Sequence, residues 1–143
     1  ARIQGAEINT KINFLSDRLH LSLNYTYLWS RDIENNIPLK YRPRHIFYSS
    51  FSYSFYNFEA GADFRFWSKV EEIDDDLANF IPDAEKRVDV YVLDLRGGYN
   101  FNSFGLPLSV SVNADNILNY NYIELVGNIS PIRNYSLSLE LVF

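Results

Sequence analysis

The sequence predicts an all-β fold: an antiparallel, up-and-down transmembrane β-barrel segment of about seven strands, cut from a larger barrel. Three observations predict it. Polar and apolar residues alternate with period two over stretches of about nine to fifteen residues, longer than the ~5–6 of a soluble strand and suited to the ~9–11 of a tilted membrane strand. The connections between these stretches are short and long in strict alternation. Aromatic residues make up 17% of the chain, with 11 Tyr and 11 Phe, more than a small core can bury.

The first strand runs from Ala6 to Phe14, with Ala6, Ile8, Thr10, Ile12 and Phe14 on one parity and Glu7, Asn9, Lys11 and Asn13 on the other. Ser16-Asp17-Arg18 makes a tight turn. The second strand sets Leu19, Leu21, Leu23, Tyr25, Tyr27 and Trp29 against His20, Ser22, Asn24, Thr26 and Ser30. A long polar loop from Arg31 to Tyr41 ends at Pro43. The third strand carries Phe47, Phe51, Tyr53 and Phe55 opposite Tyr48, Ser50, Ser52 and Ser54, and Tyr56-Asn57 turns tightly into the fourth.

The fourth strand alternates Phe58, Ala60, Ala62, Phe64 and Phe66 with Glu59, Gly61, Asp63 and Arg65. Ser68 to Arg87 is the longest irregular segment, too long for a structureless loop in a compact soluble domain. The fifth strand gives Tyr91, Leu93, Leu95, Gly97, Tyr99 and Phe101 against Asp94, Arg96, Gly98 and Asn100. After a short turn from Asn102 to Pro107, the sixth gives Leu108, Val110, Val112 and Ala114 against Ser109, Ser111, Asn113 and Asp115. A longer loop, Tyr120 to Ile132, leads to the last strand, where Tyr135, Leu137, Leu139, Leu141 and Phe143 share one face.

All short turns thus fall at one end and all long loops at the other, the plan of outer-membrane barrels, whose long loops are extracellular. With that orientation Tyr27, Trp29, Phe66 and Tyr91 mark the outer interface and Phe14, Phe55, Phe58, Phe101 and Phe143 the inner one. The polar parity carries Lys11, Glu59, Asp63, Arg65, Asp94, Arg96 and Asp115, which suit a wet or plugged lumen. Seven strands do not close such a pore, so more strands are expected outside this chain.

Composition excludes several classes of function. A net charge of −5 provides no basic stripe for nucleic acid. The absence of cysteine removes disulfides, thiol catalysis and thiolate metal sites. The mean hydropathy of −0.20 does not argue against a membrane, because alternating strands average their hydropathy away. Ala1 leads directly into a strand pattern without a signal peptide, as expected for a mature piece or the tail of a longer chain.

Asn116-Ile-Leu-Asn-Tyr-Asn-Tyr122, followed by Glu124, Gly127, Pro131, Arg133 and the terminal strand, resembles the C-terminal signature of TonB-dependent outer-membrane receptors. That signature reads Asn-Leu-Phe-Asn/Asp-x-x-Tyr, a Gly, Pro-Gly-Arg and a final strand ending in Phe; Leu118 stands here for the Phe and Ile132 for the Gly. Gly5-Ala6-Glu7 and Pro43-Arg44-His45 also look like family features. The resemblance implies that residues 1–143 are the C-terminal part of a 22-stranded barrel whose plug and earlier strands lie outside this chain. It implies import of an iron chelate, cobalamin or glycan with energy from TonB, delivered through the plug. It further implies outer-membrane lipid, lipopolysaccharide and the barrel-assembly machinery as partners, with no cofactor and no enzymatic activity. Within it, Asn116, Asn119, Tyr122, Gly127, Pro131 and Arg133 are expected to shape the last loop, and Tyr135, Leu137, Leu139, Leu141 and Phe143 to close the barrel and signal its assembly.

Two other readings compete. His20-Leu21-Ser22 resembles the His and Ser spacing of outer-membrane phospholipases, although its parity faces the lumen and a lipid hydrolase needs a site toward lipid. A soluble β-barrel or sandwich binding an apolar ligand is the other. Glu71, Glu72, Asp74, Asp75 and Asp76 are candidate ligands for a hard cation, weighed against a solvated loop because no EF-hand spacing is present. Lys40, Arg42, Arg44 and His45 form a basic cluster, read as interfacial anchors that could also meet lipid phosphate or an anionic substrate.

Overall fold

The computed structural model describes residues 1–74, 87–125 and 128–141. Its strands are β1 (Arg2–Phe14), β2 (Leu19–Asp32), β3 (Ile37–Pro38), β4 (His45–Phe55), β5 (Phe58–Trp67), β6 (Val90–Asn100), β7 (Leu108–Asp115), β8 (Ile123–Leu125), β9 (Asn128–Ile129) and β10 (Asn134–Leu141). The long strands form one antiparallel meander in the order β1-β2-β4-β5-β6-β7-β10, with β3 added to the end of β2. The seven expected strands are all present. β1 starts at Arg2 rather than Ala6, because Arg2 to Gly5 pair with Leu28 to Arg31 and extend the ladder. Phe101 opens a 3-10 turn instead of ending a strand, and the loop expected from Tyr120 to Ile132 contains the small β8-β9 hairpin.

The turns explain why the meander can reverse so sharply. Leu15, Ser16 and Asp17 adopt left-handed φ angles of 53°, 54° and 62°, and Tyr56 does so at 52°. Gly105, with φ of 76°, ends the 3-10 turn by donating its N–H to Asn102 O at 2.9 Å, a conformation that costs glycine no Cβ clash.

Register separates the two faces. Leu19, Leu21 and Tyr25 of β2 stand opposite Phe14, Ile12 and Ile8 of β1 and opposite Tyr53, Phe51 and Phe47 of β4. The apolar face continues through Ala62-Leu95 and Phe66-Tyr91 between β5 and β6, and through Val112-Leu137 and Val110-Leu139 between β7 and β10. The opposite face carries rows such as Ser50-Asp63-Asp94 and Ser52-Gly61-Arg96-Asn113-Ser136. Among the described residues, the only buried apolar side chains are Val92 and Tyr122, whereas Leu137 and Leu139 are each 65% exposed. A sheet without a packed protein layer on its apolar face is the geometry of a barrel wall in lipid. No helix among the described residues is long and apolar enough to cross a membrane.

Aromatics collect at both ends of this face. Near the long loops, Tyr27 packs on His45 at 5.4 Å and Phe66 on Tyr91 at 5.1 Å. Near the short turns, Phe55 meets Tyr56 at 4.4 Å and Tyr99 meets Phe101 at 4.8 Å. These are the two girdles of a membrane barrel.

Candidate functional site

The polar face is held together by ion pairs between β5 and β6 and by a hydrogen bond from β4. Arg65 Nη2 lies 2.5 Å from Asp94 Oδ2. Arg96 pairs with Asp63, whose other oxygen accepts from Tyr48 at 3.1 Å. Arg96 reaches Asp63 by lying across Gly61, where a Cβ would collide with its side chain. Opposite charges on adjacent strands keep the charges of this part-exposed face paired.

Above this wall, the loop before β4 is clasped to the loop after β5. Pro43 bridges Val70, the Tyr41 N–H donates to Glu72 O at 2.9 Å, and Arg44 Nη2 holds Glu71 at 2.5 Å. Lys40 Nζ and the Tyr41 hydroxyl each donate to Asp74 at 2.7 Å, and Asp74 N–H donates back to the Tyr41 oxygen at 3.1 Å. Hydrogen bonds from Lys40 and Tyr41 hold the Asp74 carboxyl below its ordinary value, and the same contact with Asp74 pushes the Tyr41 phenol up.

The third long loop is organised by Asn116, which is 3% exposed and has a φ of 47°. Its backbone N–H donates to Asp94 Oδ1 at 2.7 Å. Its side chain accepts from Tyr120 N–H at 2.9 Å and donates to Tyr120 O at 2.8 Å and to Pro131 O at 3.2 Å. Asn119 Oδ1 accepts from Arg133 N–H at 3.3 Å, and Ser130 N–H donates to Tyr122 O at 3.1 Å. Tyr122 stacks on Trp67 at 5.8 Å. Loop, lumen carboxylate and barrel wall are therefore one connected unit.

Comparison with known proteins then bears directly on this two-faced, ion-paired wall. A model of the TonB dependent receptor-like β-barrel matches residues 1–117. The chain belongs to that family. The solved structure of P. aeruginosa FpvA in complex with a heterologous pyoverdine and iron is similar in fold, with a TM-score of 0.72 and 18% identity. The match covers 96% of this chain and 19% of that one, so the chain spans about a fifth of that protein's length. No curated protein matches the sequence. The TonB-dependent receptor barrels are a family of outer-membrane receptors, not of enzymes.

The residues singled out in the sequence are distributed as follows. Asn116, Asn119, Tyr122, Pro131 and Arg133 come together in the third loop, while Gly127 lies outside the described residues. Tyr135, Leu137, Leu139 and Leu141 form the apolar face of β10, paired with β7, and Phe143 lies outside the described residues. Glu71 and Asp74 are taken up by Arg44 and Lys40; Asp75 and Asp76 lie outside the described residues. Glu72 takes part through its backbone carbonyl. Among the described residues no three potential ligands gather as a metal site.

His20 Nδ1 hydrogen-bonds Asn13 Oδ1 at 3.0 Å, and Ser22 stands between Lys11 and Ser50 in the sheet. The basic cluster is dispersed: Lys40 and Arg44 enter the clasp, Arg42 is exposed, and His45 bonds the Tyr25 hydroxyl at 2.8 Å. Trp67 is not among the residues the sequence singles out, although its parity with Asp63 and Arg65 places it on the polar face.

Proposed function

We infer that residues 1–143 are the C-terminal part of a 22-stranded outer-membrane transporter and form a stretch of its wall and its last three extracellular loops. The cargo class is an iron chelate, imported with energy that TonB transmits through a plug elsewhere in the protein. The observation carrying this reading is the sheet itself: one continuous apolar face, one face of cross-strand ion pairs, and long loops all at one end, within a receptor-barrel family. The iron-bound pyoverdine named for the FpvA structure supports the choice of cargo class. Outer-membrane lipid and lipopolysaccharide surround the apolar face. The barrel-assembly machinery reads the strand from Asn134, and that strand closes the barrel against the first.

The test is uptake. The full-length protein containing this chain, expressed in a Gram-negative strain lacking its own receptors, should accumulate radioactive iron supplied as a chelate only when TonB is present. Accumulation of labelled cobalamin or oligosaccharide instead would replace the cargo class and keep the transporter. Failure to accumulate any of them by a protein correctly lodged in the outer membrane would sink the transport reading.

A further inference from the structure

β7 stops short of its neighbour. It pairs with β6 only from Ser109 opposite Asn100 to Ala114 opposite Leu95, while β6 runs on to Val90, opposite Trp67 of β5. Among the described residues, the β7 side of β6 from Val90 to Asp94 is therefore a sheet edge without a partner strand. Ala114 stands level with Leu95, four residues below Tyr91 of the outer aromatic girdle. At ~3.4 Å per residue and a tilt of ~35–45°, that is about 10 Å toward the membrane centre. The wall thus has a notch that reaches into the apolar band, where an open strand edge is strongly unfavourable.

The third loop occupies this notch. Ile117 N–H donates to Leu93 O at 2.8 Å, where a β7 ladder bond would fall, and the Tyr120 hydroxyl donates to Asp89 O at 2.5 Å. Two rings grip β6 from opposite sides. Tyr120 meets Tyr91, of apolar parity, edge-on at 6.4 Å, and Tyr122 stacks on Trp67, of polar parity, at 5.8 Å. Between that stack and the Asn116–Asp94 bond lies Val92, which shares the face of its partner Arg65 and is 0% exposed. The returning limb covers the outgoing one: Ser130, itself buried, donates to Tyr122 O, and Pro131 O accepts from Asn116. The clasp between the first two loops is built differently, from ion pairs whose side chains are between 35% and 49% exposed.

We propose that residues 116–122 and 130–133 form a wedge that replaces the outer part of β7 and seals the barrel wall, and that this wedge stays in place when the clasp opens. Exposed ion pairs hold weakly, whereas a segment that buries its rings and shares the sheet's hydrogen bonds opens only with the sheet. The clasp is then the moving part of the extracellular mouth, and the third loop is wall. The proposal rests on the membrane-barrel reading above and is independent of the cargo.

The experiment uses the full-length protein in nanodiscs, freed of any cysteine outside this chain, with Val92→Cys as the reporter. A membrane-impermeant maleimide should leave that thiol unlabelled. Adding Tyr122→Ala should speed labelling about a hundredfold, as expected for loss of a buried ring, while Tyr122→Phe should preserve the protection. Asp74→Asn, which loosens the clasp, should leave labelling unchanged. Heat-modifiable gel mobility should show every variant folded, and hydrogen exchange at the Ile117 amide gives a second reading that needs no substitution: it should be as slow as the amides of β6. Rapid labelling of Val92→Cys in the folded protein overturns the wedge, as does unchanged protection in Tyr122→Ala, since something else would then cover Val92. Faster labelling with Asp74→Asn overturns the independence of wedge and clasp. A protein lodged in the outer membrane whose Ile117 amide exchanges freely overturns the wedge alone, whereas a protein absent from the outer membrane overturns the barrel reading and the need for a sealed wall with it.

Discussion

The backbone N–H of Asn116 donates to Asp94 Oδ1 at 2.7 Å while Asp94 Oδ2 holds Arg65 at 2.5 Å, so a single lumen carboxylate anchors the third loop to the barrel wall. The contact turns a cross-strand ion pair into a loop anchor. It also explains why a residue with a φ of 47° is held in a buried position: its side chain and backbone are both occupied.

Replacing Asn116 separates these contributions. Asn116→Gly should lose the side-chain bonds and keep the left-handed backbone, whereas Asn116→Ala should lose both, at about 2–4 kcal/mol. Urea unfolding of the refolded full-length barrel should give the order Asn, Gly, Ala in decreasing stability. An alanine variant as stable as the glycine variant would show that the backbone angle carries no penalty.

The two tryptophans report on the two faces. Trp29 shares its face with Tyr27 and Trp67 with Arg65, so spin-labelled lipid should quench Trp29 fluorescence and spare Trp67. The measurement uses the full-length protein with every tryptophan outside this chain replaced by Phe, to which Trp67→Phe or Trp29→Phe is added so that one reporter remains. Equal quenching of both would mean that the faces are assigned wrongly.

Acid should open the clasp between the first two long loops. Asp74 is depressed in the folded state, so its contribution is fully present above the ordinary 3.8 and is lost as pH falls through its lower folded value. Tyr41 is raised, so its proton, and the bond it donates, persist past the ordinary 10.0 and are lost as pH rises through the folded value. Hydrogen exchange at the Tyr41 amide, bonded to Glu72 O, should therefore be slow across the neutral range and accelerate in acid. After correction for intrinsic rates, Asp74→Asn should exchange faster throughout and show no acid step.

Gly61 makes room for Arg96. Gly61→Val should displace the Arg96 side chain, break its pair with Asp63 and lower stability by about 1 kcal/mol, a value typical of a half-exposed pair. In the Asp63→Asn background the same substitution should cost measurably less. Equal costs in both backgrounds would mean that the glycine is needed for something other than this pair.

The sequence by itself determined the strands and their faces. A side-chain period of two is a local property, so Leu19 to Trp29 or Tyr135 to Leu141 declare their apolar face without reference to any partner. Turn chemistry and loop length, also local, ordered the meander, and the motif from Asn116 to Arg133 resembles that of the family whose barrel model matches residues 1–117. Tertiary structure decided what register and loop contacts join across long stretches of chain. It placed Arg2 beside Arg31, sent Lys40 and Arg44 to Asp74 and Glu71, and added Arg2–Gly5 to β1. It also aimed the Asn116 amide at Asp94, because that hydrogen bond requires β6 and the third loop to meet in space. Periodicity says which way a side chain points; only the paired backbone says what it meets there.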